Sequence, residues 1–189
     1  MPARYAWPMS KEALAKEIAQ VALLRGNFTL RSGKTSTYYL DKYLFSTRPE
    51  LLGQLAPLFA ERLDAMETRL DLEIDRIAGA ELGGIPLVTA ASLATGLPVI
   101  FVRNKKKDYG TAKQLEGAVE KGDVVVLLED VATTGGQALE AVEVLREAGA
   151  KVIAVIATID RLEGARENIE KAGLLFESLF TVHELGVQA

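Results

Sequence analysis

The stretch DVVVLLEDVATTGGQALEAVEVLREAG, from Asp123 to Gly149, decides the fold of this chain. It opens with an apolar run, Val124 to Leu128, that is rich in β-branched residues and too short for a helix of its own. Such a run predicts a strand buried on both faces. Glu129 and Asp130 close the strand, and apolar residues then recur at helical spacing over 139–145. The predicted order is strand, loop, helix.

The loop between that strand and that helix predicts a phosphate site. Thr133 to Gly136 offer hydroxyl donors and free backbone N–H groups at the positive end of a helix dipole, which suit a phosphate monoester. Glu129 and Asp130 would repel a bare phosphate, so they must face proton donors or positive charge, such as a sugar diol or a metal ion. A phosphate site beside a site for a sugar diol indicates that the ligand contains ribose 5-phosphate. The alternative is an ordinary turn whose two acids are solvated.

Two other nucleotide sites do not fit the sequence. A P-loop needs G-x-x-x-x-G-K-[ST], and before Gly33-Lys34-Thr35 the first glycine position holds Phe28. A dinucleotide site needs G-x-G-x-x-G after the first strand, and neither Gly135-Gly136 nor Gly83-Gly84 has this spacing.

Composition excludes several classes of protein. The 189 residues are 49% hydrophobic and 25% charged, which is typical of a globular domain. A net charge of -4 argues against nucleic-acid and membrane-surface partners. No apolar run has the length of a membrane span and no signal peptide is evident, so we expect a cytoplasmic protein. Cysteine is absent, and His183 is the single histidine, for which we expect a structural or surface role.

The rest of the chain predicts an α/β fold with a parallel central sheet flanked by helices. We expect one domain over 1–189, in which about residues 1–45 form a small N-terminal hood. The predicted strands are 74–78, 98–102, 124–128, 152–158 and 174–180, with short β pieces at 28–30 and 38–40, and the predicted helices are 10–24, 49–66, 86–95, 137–148 and 163–172.

Ligands collect at the carboxyl ends of parallel strands, where three further loops should lie. The loop from Gly79 to Gly84 is either a diphosphate-binding loop or a tight turn that needs glycine. The loop from Arg103 to Gly117 contains a run of lysines, which is either solvated surface or a lid that carries cations to an anionic leaving group. The third loop is Ile159-Asp160-Arg161.

These motifs resemble a known family. The run VVVLLEDVATTGG resembles the phosphoribosyl-diphosphate signature of the type I phosphoribosyltransferases. Two further motifs resemble the orotate-specific members. One is like VRKxxKDxG, at Val102, Arg103, Lys107, Asp108, Tyr109 and Gly110; the other is like FxLxSGxxSxxYxD, at Phe28, Leu30, Ser32, Gly33, Ser36, Tyr39 and, offset by one, Asp41.

The resemblance implies a role for each matching residue. Lys107, Arg103 and Asp130 would be catalytic, and Thr133, Arg161, Tyr39 and Leu40 would bind orotate. Phosphoribosyl diphosphate would be bound by Arg31, Leu82, Gly83, Arg103, Asn104, Lys107, Tyr109, Glu129, Asp130, Val131, Ala132, Thr133, Thr134, Gly135, Gly136 and Gln137. No residue is expected to be a direct metal ligand.

The implied activity is transfer of a 5-phosphoribosyl group to orotate in pyrimidine (UMP) biosynthesis. The product would be orotidine 5'-monophosphate, and Mg²⁺ would be held chiefly by substrate oxygens. The resemblance also implies a homodimer with a shared active site, in which Lys107 reaches the partner's site. Two rivals remain: a phosphoribosyltransferase for another base, and a regulator of the same fold without activity.

The sequence departs from the family pattern at four positions. Asn104 and Gly83 stand where lysine is usual or frequent, Arg31 replaces a frequent lysine, and Tyr109 stands where some members have histidine. Lysines that could compensate are Lys34, Lys105 and Lys106.

Overall fold

The computed structural model describes residues 9–29, 35–104 and 114–188. Its helices are α1 (Lys11–Ala22), α2 (Lys42–Ser46), α3 (Pro49–Leu70), α4 (Gly84–Thr95), α5 (Gly136–Glu147) and α6 (Ala165–Lys171). Its strands are β1 (Leu23–Thr29), β2 (Thr35–Leu40), β3 (Arg76–Ala80), β4 (Val99–Val102), β5 (Leu115–Glu116), β6 (Val124–Ala132), β7 (Lys151–Asp160) and β8 (Leu175–Thr181).

Six strands form the central sheet, in the order β5-β4-β3-β6-β7-β8. Every neighbouring pair from β4 to β8 is parallel, which confirms the predicted α/β fold with helices around a parallel sheet. The edge strand β5 is the exception, because it pairs antiparallel with β4. Sequence analysis predicted no strand there, since two residues are too few to show a periodicity.

The buried strand β6 is longer than predicted. It continues past 128 to Ala132, so Glu129 and Asp130 lie within the strand and do not close it. The ladder with β7 continues through Val131 and Ala132, and these hydrogen bonds extend the strand beyond its apolar run. The acids are therefore held by a central strand of the sheet.

Two hydrophobic clusters cover the two faces of the sheet. Val126 and Leu128 belong to the cluster with α1, α3 and α4, whereas Val125 and Leu127 belong to the cluster with α5 and α6. Because side chains alternate along a strand, Asp130 falls on the α4 side of the sheet.

In the predicted hood, α1 is followed by the antiparallel pair of β1 and β2. Helix α1 ends at Ala22, two residues earlier than predicted, because Leu23 pairs with Leu40 and starts β1. The short helix α2 after the hairpin was not predicted, and Asp41 caps it by accepting a hydrogen bond from Tyr43 N at 3.1 Å.

The assignment of one domain with a hood of about residues 1–45 stays a prediction. Within the described residues, no helix has both the length and the hydropathy that crossing a membrane requires.

Candidate active site

The acids of β6 are almost completely buried at the carboxyl end of the sheet. Glu129 is 5% exposed and Asp130 is 1% exposed. Asp130 Oδ1 accepts a hydrogen bond from Val131 N at 2.6 Å, and Glu129 Oε1 accepts one from Asp130 N at 3.3 Å. Glu129 Oε2 is buried without a hydrogen-bond partner among the described residues. A buried carboxyl oxygen of this kind is an unpaired polar atom that a bound hydroxyl group would satisfy.

A lysine from the hood neutralises one of these acids. Lys42 Nζ lies 2.9 Å from Asp130 Oδ2, and the lysine side chain is 28% exposed. Sequence analysis did not single out Lys42. One signal was present: Lys42 occupies the first position of α2, where acids are favoured over cations.

The environment changes the ionisation of both groups. Burial and the charge of Asp130 raise the pKa of Glu129 to about 8, because they disfavour a second carboxylate in the same pocket. Burial also opposes the charge of Lys42, but the attraction and hydrogen bond of Asp130 outweigh it and raise the pKa of Lys42.

The predicted phosphate loop follows the acids directly. Gly135 has a φ of 79°, a left-handed conformation that suits glycine, and α5 begins at the next residue. Asn168 Nδ2 donates to Thr134 O at 2.8 Å, and Arg161 N donates to Ala132 O at 2.9 Å. The neighbouring elements β7 and α6 therefore hold the loop at the N-terminus of α5, where backbone amides can bind an anion. Asn168 is a supporting residue that sequence analysis missed.

The glycine loop before α4 reaches the same place. A Cβ added to Gly83 would overlap Asp130 Oδ2, so the backbone at 83 approaches the acid as only glycine can. Gln137 Nε2 donates to Glu81 O at 3.4 Å, and Asn104 N donates to Glu81 Oε1 at 2.7 Å. The ends of β3 and β4 thus meet the start of α5 around Asp130.

Arg161 at the end of β7 contacts the hood. Its Nη2 donates to the Tyr38 hydroxyl at 3.0 Å, and its guanidinium carbon lies 5.0 Å from the centre of the Tyr38 ring. The same Nη2 is 2.8 Å from Glu163 Oε1. Arg161 Nε is buried and has no hydrogen-bond partner in the part of the chain that the structure describes. The guanidinium is therefore oriented but retains donor capacity.

Tyr39 and Leu40, the hood residues predicted to lie beside the base, do not face Arg161 as Tyr38 does. Tyr39 is 44% exposed and its ring is 5.7 Å from that of Phe28, because alternation along β2 turns it away from the side on which Tyr38 lies. Leu40 is buried in the core cluster with α1 and α3. Tyr38, which sequence analysis did not select, is the β2 residue in contact with Arg161. Orotate binding by Tyr39 and Leu40 stays a prediction.

Arg103 directly follows β4, at the start of the lysine-rich loop. Its side chain is 3.7 Å from Glu116 Oε1, and its backbone N donates to Gln114 O at 2.8 Å. These contacts join both ends of the lysine-rich loop. Several predicted residues lie outside the described residues: Arg31, Lys107 and Tyr109, together with Lys34, Lys105 and Lys106, which were considered as compensating lysines.

Known proteins are similar to this chain in sequence and in fold. A phosphoribosyl transferase domain matches residues 48–184. Orotate phosphoribosyltransferase of Pyrococcus horikoshii is 46% identical over 177 residues, which are 94% of this chain and 93% of the relative. The chain belongs to the orotate phosphoribosyltransferase family. Orotate phosphoribosyltransferase of Mycobacterium tuberculosis in complex with Fe(III) dicitrate has a TM-score of 0.80 at 30% identity, covering 94% of this chain and 99% of that one. The same enzyme in complex with 5-phospho-alpha-D-ribosyl 1-diphosphate has a TM-score of 0.77 at 29% identity, with the same coverage.

The fold brings together residues from distant parts of the chain. Asp130, Gly83 and Lys42 meet at the end of β6, and Arg161 directly follows the adjacent strand β7 with Tyr38 against it. Leu82 is largely exposed next to Gly83. His183 Nδ1 is 2.8 Å from Val187 O, a contact consistent with a structural role.

Proposed function

We propose that the protein transfers a 5-phosphoribosyl group from phosphoribosyl diphosphate to orotate, giving orotidine 5'-monophosphate and diphosphate. The observation that carries the proposal is the buried, unpaired oxygen Glu129 Oε2, which lies beside the glycine-threonine loop on the central strand. A ribose hydroxyl supplies the hydrogen-bond partner that this oxygen lacks. The adjoining amides at the start of α5 suit the 5-phosphate.

Arg161 supports orotate as the acceptor base. Orotate differs from uracil by a carboxylate, and a guanidinium N–H donates a charge-assisted hydrogen bond to such a group. The Nε of Arg161 is free to donate, whereas Nη2 is held by Tyr38 and Glu163. A base without a carboxylate would leave this buried donor unpaired, which disfavours its binding.

Catalysis in this proposal needs no protein nucleophile. The transition state gathers positive charge on the ribose and negative charge on the departing diphosphate, so the protein contributes positioning and charge stabilisation. Glu129 and Asp130 hold the sugar; Asp130 places carboxylate charge beside it, and Glu129 does so once it has lost its proton. Lys107 and Arg103 are proposed to stabilise the leaving group.

We propose Mg²⁺ as the cofactor, bound mainly through substrate oxygens and water. The described ranges contain no cluster of three or more acidic or histidine side chains able to hold a metal ion. Because Asp130 is already paired with Lys42, the ion would take its oxygen ligands from the substrate and from water. When bound, the ion would neutralise charge on the diphosphate.

We also propose a homodimer with a shared active site. A groove of about 600 Å³ between α3 and α4 is lined mainly by apolar residues, and Leu93 within it is 86% exposed. Exposed apolar surface of this kind is typical of association sites. The groove includes Pro86, in the first turn of α4, and that helix begins beside Asp130. A partner bound there would lie next to the site. The cytoplasmic location expected from the sequence remains a prediction.

The activity is tested by incubating the protein with phosphoribosyl diphosphate, Mg²⁺ and one base at a time. Orotate should be consumed with stoichiometric release of diphosphate, whereas uracil, adenine and hypoxanthine should not react appreciably. Preferential use of another base would replace orotate in the proposal. Binding of phosphoribosyl diphosphate without turnover of any base would favour the regulator.

The shared site is tested by mixing two variants of strongly reduced activity, Lys107→Ala and Asp130→Asn. If Lys107 acts in the partner's site, random exchange of subunits should restore roughly a quarter of the wild-type activity, because half of the dimers then carry one intact site. Leu93→Lys should shift the protein towards monomer in sedimentation. A wild-type monomer with full activity would contradict the dimer.

A further inference from the structure

Lys42 is fixed in place by the hood. The preceding residue, Asp41, donates its backbone N–H to Ala22 O at 2.9 Å and caps α2 with its side chain. The backbone at 42 is therefore tied to the end of α1, and the lysine side chain extends from there to Asp130. The ion pair joins the hood to the central strand of the sheet.

The ion pair leaves a defined set of acceptors for a sugar. Asp130 Oδ1 is used by Val131 N, and Oδ2 lies between Lys42 and the backbone of Gly83. Oδ2 makes the ion pair with Lys42 but accepts no hydrogen bond among the described residues, so it can accept one from a ligand. Together with Oε2 of Glu129, once that group is ionised, this gives one acceptor on each of the two acids.

The pair also lowers the cost of holding two acids side by side. Both carboxyl groups are buried, and a buried charge without a partner is strongly unfavourable. Lys42 contacts Asp130, and its charge opposes the rise in the pKa of Glu129. Without Lys42, Asp130 would be expected to turn towards water or towards the amides of the loop, and its orientation would be lost.

We propose that Lys42 is a positioning residue for the donor sugar, which holds Asp130 in the orientation that accepts a ribose hydroxyl. The inference rests on the proposed function and adds to it a residue outside the motifs. It also gives the hood two roles. Tyr38 orients the arginine on the base side of the site, and Lys42 orients the acid on the sugar side.

The test compares Lys42→Met and Lys42→Arg with the wild type in steady-state kinetics. Lys42→Met should lower kcat/KM for phosphoribosyl diphosphate by about tenfold or more while the KM for orotate changes by less than about threefold. Lys42→Arg should recover most of the loss. Lys11→Met is the matched control, because Lys11 makes an ion pair of the same 2.9 Å length with Glu184, away from the acids of β6. It should leave the kinetics unchanged.

A double-mutant cycle with Asp130→Asn shows whether Lys42 acts through this acid. If it does, the double variant should be no more than about threefold worse than Asp130→Asn alone. Fully additive losses, equal losses for both substrates, or unchanged kinetics in Lys42→Met would each overturn the proposal. Circular dichroism checks folding. If Lys42→Met does not fold, Lys42→Gln replaces it in the same cycle.

Failure of this inference can be told apart from failure of the proposed function. Wild-type turnover of orotate is measured first. If it is absent, calorimetric binding of phosphoribosyl diphosphate to the same variants replaces the kinetics. Equal affinity of the wild type and Lys42→Met would then reject the role of Lys42.

Discussion

Replacing Glu129 by glutamine should stabilise the protein by an amount that grows with pH. In the folded chain the pKa of Glu129 is raised from 4.5 to about 8, mainly by burial and by the charge of Asp130. Between these two values the unfolded chain has lost the proton that the folded chain keeps, so unfolding releases a proton and stability falls as pH rises. Glutamine is nearly isosteric and does not ionise. The variant therefore escapes this loss.

The size of the effect follows from the same shift. One pK unit corresponds to about 1.4 kcal/mol, so the variant should gain about 3 kcal/mol at pH 7 and about 5 kcal/mol above pH 8. Near pH 4.5 the two proteins should differ little on this account. For a chain of this size the difference at neutral pH amounts to a rise of very roughly 6–12 °C in melting temperature.

The assay is urea unfolding followed by far-ultraviolet circular dichroism at pH 5, 7 and 8.5. The m-value should not change, and the midpoint of Glu129→Gln should move increasingly above that of the wild type as pH rises. Glu140→Gln, at an exposed position of α5, is the matched control and should give a constant difference. A stability gap that is the same at all three pH values, or a less stable Glu129→Gln at pH 8.5, would refute the reasoning.

Three further predictions concern ligand binding. Gly83→Ala should reduce kcat/KM for phosphoribosyl diphosphate by about tenfold or more, since the new methyl group must displace the Asp130 carboxylate, and steady-state kinetics would show this. Tyr38→Phe removes a hydrogen bond to Arg161, so the KM for orotate should rise by about three- to tenfold while that for phosphoribosyl diphosphate stays constant. The pKa of Glu129 is about 8, and its ionised form accepts the ribose hydroxyl, so binding of phosphoribosyl diphosphate should strengthen from pH 6 to 8.5 and release protons. Calorimetry in buffers of different ionisation enthalpy would detect the released protons. Binding that does not depend on pH would contradict this prediction.

The sequence alone was enough to predict the fold class and the course of the central strand, loop and helix. These features depend on local chemistry: a β-branched apolar run, glycines at a turn and apolar residues at helical spacing are visible within a few residues of one another. The acids at 129 and 130 could be selected for the same reason, because they stand directly after a recognisable strand core. The role of the arginine at 161 came from the family resemblance.

The tertiary structure decided which residues meet those acids and that arginine. Lys42 is far from Asp130 in the sequence, and nothing in the local pattern states that α2 turns its first side chain towards β6. The choice of Tyr38 over Tyr39 against Arg161 depends on which face of β2 turns inward, and a shift of one residue reverses that face. The extension of β6 through its two acids depends on pairing with β7. Such contacts join separate segments, so only the packed chain determines them.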